Sequence, residues 1–174
     1  MTSGGYRDNV KTGVLNEVNF ERLRPSRKKL APGDIFAMRP PDGRYLFGRV
    51  ILADLPRNRA PMPRSYLIYV YSVRSDLKGL NPDQLTVDRL LLPPMFINRL
   101  PWSRGYFETV AHRPLKREDL VQQYCFRRWT GKYVDETGKE LSSRLEPCGD
   151  WALDSYRTID DQVSDALGIP RTPE

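Results

Sequence analysis

Nine consecutive residues, SYLIYVYSV (Ser65–Val73), put β-branched or aromatic side chains on both faces of an extended chain. That is the pattern of a central strand, so a sheet has to be built around it. The preceding stretch, PGDIFAMRPPDGRYLFGRV (Pro32–Val50), supplies two neighbours. Ile35–Arg39 is rich in strand formers, and Pro40-Pro41-Asp42-Gly43 is a hairpin-like turn in which Gly43 can take a positive φ. The next strand, Arg44–Ala53, alternates Tyr45, Phe47, Arg49 and Ile51 on one face with Leu46, Gly48, Val50 and Leu52 on the other. Gly48 inside such a run signals a bend or a close approach of two backbones.

The rest of the chain reads as short elements. Val14–Phe20 half-alternates and suggests a first short strand, after a polar, Gly-rich beginning. RLRPSRKKL (Arg22–Leu30) is a basic connector. Asn81, Pro82 and Asp83 have the order of cap, first helical residue and acidic first turn. Leu90–Asn98 reads as a strand that Pro93-Pro94 forces to bulge or to lie at an edge, and Gly105–Ala111 as another strand. Glu118–Tyr124 suggests a helical turn, and Tyr133–Leu141 a hairpin around Thr137-Gly138. The clearest helix is TIDDQVSDALGIP: Thr158 caps, Ile159, Val163, Ala166 and Leu167 line one face, and Gly168 and Pro170 end it. The expected fold is α+β and mostly β, a small curved antiparallel sheet or SH3-like partial barrel with a few short helices, including the C-terminal one. The expected organisation is a mobile segment over residues 1–20 and a single domain over 21–174.

Composition bounds the function. With 39% hydrophobic and 29% charged residues among 174, this is ordinary globular material. No apolar run reaches the length of a membrane span, and the N-terminus lacks the apolar core of a secretory signal, which makes the cytoplasm the expected location. Cys125 and Cys148 do not make a disulfide framework, and a single histidine without a Cys-x-x-Cys argues against zinc. Charge is uneven. Residues 1–87 carry 15 Lys and Arg against 8 Asp and Glu, whereas residues 146–174 carry two Arg against seven acids. Such a dipolar chain can steer a charged partner.

Catalytic devices are hard to find. His112 is the one histidine, at a strand end with no motif around it, and the structural reading is strongly preferred. There is no Gly-x-Ser-x-Gly, phosphate loop or His-Glu-x-x-His. Acid pairs such as Asp160/Asp161 and Glu118/Asp119 are better explained as helix starts. An enzyme is the weakest reading, and no cofactor is expected.

Binding candidates are better represented. Arg39 and Arg44 flank the first turn and are expected in solvent. Arg49 shares a strand face with Tyr45 and Phe47, so it must pair with a carboxylate or reach a partner. In WSRGYF, Trp102, Arg104 and Tyr106 are residue types that dominate interface hot spots. Equally, Trp102 and Phe107 fill a core while Arg104-Gly105 turn. Trp151 reads as a core residue beneath the last helix. The RPSRKKL run is either a phosphate-contacting strip or a solvated connector, the second being preferred, and nucleic acid is therefore the minority alternative.

The order of motifs narrows the choice. PGDIFAMRPPDGRYLFGRV, LPPMFINRLPWSRGYF, YVDETGKEL and CGDWALDSYRTIDDQVSDALGIP, in that sequence, resemble the immunity protein 26 family of bacterial polymorphic-toxin systems, over roughly residues 30–170. The resemblance implies a mostly β protein that binds a cognate toxin and protects the producing cell, with no catalysis. It supplies no toxin-contacting residues, so Arg39, Arg44, Arg49, Trp102, Arg104 and Tyr106 stand as candidates on their chemistry alone.

Overall fold

The computed structural model describes residues 17–173. Its spine is a six-stranded sheet in the order β5-β1-β2-β3-β4-β9. The strands are β1 (Asp34–Met38), β2 (Tyr45–Leu55), β3 (Ser65–Ser75), β4 (Leu90–Ile97), β5 (Glu108–His112) and β9 (Leu153–Asp154). All neighbours are antiparallel except β4 and β9, which run parallel. A second sheet joins β6 (Cys125–Arg127) to β7 (Tyr133–Val134) and β8 (Cys148–Asp150), with β6 in the middle. Two helices complete the fold, α1 (Leu100–Arg104) and α2 (Tyr156–Leu167). The fold is thus α+β and mostly β, with an open sheet rather than a closed barrel.

Both faces of the large sheet are covered. On one side Phe36, Leu46, Val50, Ile68 and Val70 pack beneath Val18, Phe20, Trp102, Phe107 and the α2 residues Tyr156, Ile159 and Val163. On the other, Ile35, Phe47, Ile51, Leu67, Tyr69 and Tyr71 meet Tyr124, Phe126 and Val134, of which the last two come from the small sheet. The alternation in β2 separates the two cores as expected up to Ile51. There the register with β3 shifts, and Leu52 joins Ile51 on the second face while Ala53 turns to the first. A bulge reverses the side chains that follow it, here until a second register shift before Leu55 restores that residue to the second face, which period-two reading cannot foresee.

Several local expectations are met. Gly43 has φ +81° and its N–H bonds the Pro40 carbonyl at 3.1 Å. Asn81 accepts from Asp83 N–H at 3.0 Å at the head of a three-residue 3-10 turn, Pro82–Gln84. In β4 the pairing steps from Ile68↔Met95 to Val70↔Leu92, so Pro93 and Pro94 together oppose Tyr69 in a bulge. Neither proline has an N–H to give the ladder.

Other expectations are corrected. α2 is capped by Ser155, whose Oγ accepts from Thr158 N–H at 3.1 Å, so the helix begins at Tyr156. This adds a turn that buries Tyr156, and Ala166 faces solvent. Trp151 lies on the far side of the sheet from α2, edge-on to Phe96 at 5.3 Å and to Phe126 at 6.1 Å. The strand expected over Val14–Phe20 falls partly outside the described residues, and Glu17–Phe20 are bends. The segment expected to be mobile over 1–20 lies largely outside them too, but Val18 and Phe20 are core residues. Their stretch is fastened by Asp160, 1% exposed, which accepts from Asn19 N–H and Phe20 N–H at 2.9 Å each. Burial raises the Asp160 pKa, and the two N–H groups offset part of that rise.

Gly48 marks the tightest point of the sheet. It sits opposite Phe36, and a Cβ there would clash with Cζ and Cε2 of the Phe36 ring and lie 2.7 Å from the Tyr69 carbonyl oxygen. Gly48→Ala should therefore lower stability by about 2–3 kcal/mol in urea denaturation. Asp154, at the end of β9, is pushed up to about 6 by burial and then by Asp150. A carboxyl whose folded pKa exceeds its unfolded value holds extra protons between roughly pH 4 and 6. Its stabilising contribution is present below that window and lost as pH rises through it, by up to about 2–3 kcal/mol. Asp154→Asn should flatten this part of the stability–pH curve.

Candidate functional site

The six residues singled out from the sequence separate into two classes. Arg49 and Trp102 are each 1% exposed and belong to the interior. Tyr106, 9% exposed, joins them in the same core cluster as Trp102, while Arg39, Arg44 and Arg104 lie at or near the surface.

Arg49 does not reach a partner. Its Nη2 donates to the carbonyls of Arg113 at 2.7 Å and Pro114 at 3.3 Å, and its Nη1 lies 3.4 Å from Asp119 Oδ2. The neighbouring Tyr71 hydroxyl is fully buried, and burial raises its pKa, opposed by the Arg49 charge. Beside it, the Tyr69 and Tyr124 hydroxyls are 2.7 Å apart, and Val121 N–H donates to Tyr69 at 3.1 Å. These contacts hold the connection between β5 and β6 against the sheet. Of the two outcomes expected for Arg49, pairing with a carboxylate is the one found. Trp102 is likewise a core side chain, packed edge-on to Phe36 at 4.9 Å and Phe107 at 5.1 Å. Gly105 caps its short helix with φ +84°, so Arg104 and Gly105 do turn the chain.

The surface members form two groups joined by residues 17–30. Arg39 pairs with Glu21 at 3.0 Å, lies over the Tyr45 ring at 5.2 Å and donates to the Gly43 carbonyl. Arg44 bonds Asp76 at 3.1 Å, while Asp42 is bound by Arg74, which, with the Arg44 amide, keeps its pKa low against burial. Arg104 lies over Tyr156 at 5.3 Å, and Tyr156 stacks on Tyr106 at 5.2 Å. Glu17 gathers this group, accepting from Tyr156 Oη at 2.9 Å and facing Arg104 at 3.7 Å and Arg157 at 3.6 Å. The connecting strap is tied to the body by Glu21 N–H on Arg39, Leu23 N–H on Gly105 and Ser26 N–H on Trp102. It leaves Arg22, Arg24, Arg27, Lys28 and Lys29 exposed beside Arg99 and Arg104, a positive face with Glu17 and Glu21 as its exposed acids.

The residue that sequence reading missed is Trp129. It is 96% exposed, the most exposed of the large hydrophobics among the described residues. It sits at the tip of the β6–β7 turn, where Arg128 N–H bonds the Lys132 carbonyl at 2.7 Å and Gly131 N–H bonds the Arg128 carbonyl at 2.9 Å. Gly131 takes φ +84° to close the turn. Arg128 is anchored behind the tip, over the Trp151 ring at 5.2 Å. The available signal was the stretch Arg127-Arg128-Trp129-Thr130-Gly131-Lys132, a tryptophan just ahead of a Thr-Gly turn with cations on both sides.

A cleft of about 970 Å³ opens between the β5–β6 connection and the Asp135-Glu136 turn, lined by Arg117, Glu118, Gln122, Gln123 and Tyr124 among others. Asp135 is committed to the turn: it accepts from Thr137 N–H, Thr137 Oγ1 and Lys139 N–H, which lower its pKa against burial. His112 stands elsewhere, at the end of β5, with Nδ1 2.8 Å from Asp34. Cys125 and Cys148 face each other across β6 and β8 as buried free thiols, and burial pushes Cys148 up to about 12. Among the described residues, no three His, Cys, Asp or Glu side chains gather to hold a metal ion, and no helix is long and apolar enough to cross a membrane.

The model of the immunity protein 26 family matches residues 31–133, more than half of the chain. The chain belongs to that family. The match begins at β1 and ends just past the Trp129 turn, so it takes in β1–β6 but neither the basic strap nor α2, and stops short of the extent that the motif order suggested. Comparisons with curated proteins and with solved structures return no match.

Since Arg49 is the inward charge on which the β5–β6 connection hangs, its removal tests the assignment to the interior. Arg49→Ala should cost about 3 kcal/mol in urea denaturation, because Asp119 and two carbonyls lose their partner. Loss of toxin binding with unchanged stability would contradict it.

Proposed function

We propose that this immunity protein 26 family member binds one cognate toxin domain of a bacterial polymorphic-toxin system in the cytoplasm and blocks it, with no reaction of its own. The observation that carries the reading is the family match over residues 31–133. Immunity in this sense asks for a rigid body with a distinctive surface, and a sheet buried on both faces supplies one. The Arg39–Arg44 turn and Arg104, whose guanidinium lies over the buried Tyr156 that stacks on Tyr106, are proposed to act on the toxin through their charge. The net charge of +6 and the positive strap favour a partner that is acidic where it approaches, since such fields raise association rates more than they deepen final affinity.

The strap also supports a second reading, binding to nucleic-acid phosphates through Arg22, Arg24, Arg27, Lys28 and Lys29. That mode has a distinct signature, an affinity falling steeply with salt by about 0.7–0.9 log units per neutralised phosphate for each log unit of salt.

Co-expression with the toxin domain encoded directly upstream should restore growth. Arg39→Glu with Arg104→Glu should slow association about tenfold at low salt while leaving the melting temperature nearly unchanged. Failure of the wild-type chain to protect against its neighbouring toxin would contradict the proposal, and salt-steep RNA or DNA binding without protection would favour the second reading.

A further inference from the structure

Trp129 is a large apolar side chain that the fold does not use. At 96% exposure its indole touches almost nothing of its own chain, while Trp102 and Trp151 serve the two cores. The turn that carries it is nonetheless well made, closed by two backbone hydrogen bonds and a left-handed glycine, with Arg128 braced on Trp151 behind it. A tryptophan held out on a rigid turn loses little freedom when it is covered, and covering it removes about 150–250 Å² from water. Those properties fit the enrichment of tryptophan, with Tyr and Arg, among the residues that carry most of the binding energy at protein interfaces.

The surroundings specify the socket. Residues 127–132 carry Arg127, Arg128 and Lys132 and no acid. Arg127 is exposed and makes no ion pair among the described residues, and Lys132 reaches only the exposed Glu140 at 3.1 Å. The tip is therefore an apolar knob with a cationic collar. The residues lie inside the family match, unlike the basic strap, which lies on the other side of the large sheet.

We infer that the Trp129 turn is the anchor by which the chain holds its toxin, with the indole seated in an apolar socket rimmed by carboxylates. This rests on the immunity reading above and locates its principal contact. The strap and the Arg39 and Arg104 groups then act at a distance, steering the encounter through charge.

The test uses the full chain and the toxin domain encoded directly upstream. Trp129→Ala should leave thermal stability unchanged, because nothing is unpacked, yet weaken binding about thirtyfold or more, chiefly through faster dissociation. Trp129→Phe should recover part of the loss. Acrylamide should quench the free wild-type protein strongly, through Trp129, and the complex much less. Wild-type binding that Trp129→Ala changes by less than about threefold, with Trp129 still quenched in the complex, would overturn this inference alone. A wild-type chain that does not bind the toxin would overturn the immunity reading together with it. A concentration-dependent homodimer lost in Trp129→Ala, at unchanged toxin affinity, would assign the knob to a second copy of the chain and also overturn the inference.

Discussion

The two-sided burial of β2 and β3 governs everything else in this molecule. Their side chains are apolar on both faces, so neither face can be left to water, and the chain must supply two covers. Each cover is fastened by one buried charge. Arg49 holds the Arg113–Asp119 connection on one side, and Asp160 holds the Asn19–Phe20 backbone on the other. A buried charge is costly unless its hydrogen bonds are nearly complete, so each tolerates few arrangements of the segment it grips. Hydrophobic packing supplies the driving force, and these two residues select where the covers lie.

That economy shapes the surface available for function. Most large apolar side chains are consumed by the two cores, and the outer positions carry charge arranged in local pairs such as Arg44–Asp76, Arg74–Asp42 and Lys78–Glu108. A pair exposed on both sides, such as Arg44–Asp76, contributes little to stability. What stands out against them is a strap of cations and one solvent-facing indole. The membership in the immunity protein 26 family gives that surface its meaning.

Strands and turns were legible from the residues because their causes are local. Pro-Asp-Gly makes a turn wherever it occurs, the double apolar face of Ser65–Val73 admits only a central position, and two successive prolines cannot both stay in register. The candidate site was far less legible, because burial is settled by distant parts of the chain. Trp102 and Trp129 are the same residue type, each with a glycine and cations nearby, yet one is enclosed by Phe36 and Phe107 and the other by nothing. Arg49 could be narrowed to two fates by its strand face, but Asp119 is seventy positions away and its arrival could not be read. The same holds for Leu52, reversed by a bulge, and for Trp151, which the β8–β9 connection carries to the opposite core from α2.

The central claim is that the chain acts by occupying its toxin, and the stoichiometry of inhibition tests this most directly. Toxin activity should be measured while the protein is added from well below to above equimolar amounts, with the toxin's intact mass recorded at each point. Occupancy predicts activity falling linearly to zero near one equivalent, an unchanged toxin mass, and recovery when the complex is separated. Complete and lasting inactivation by a small fraction of an equivalent, or a covalent change in the toxin, would contradict it.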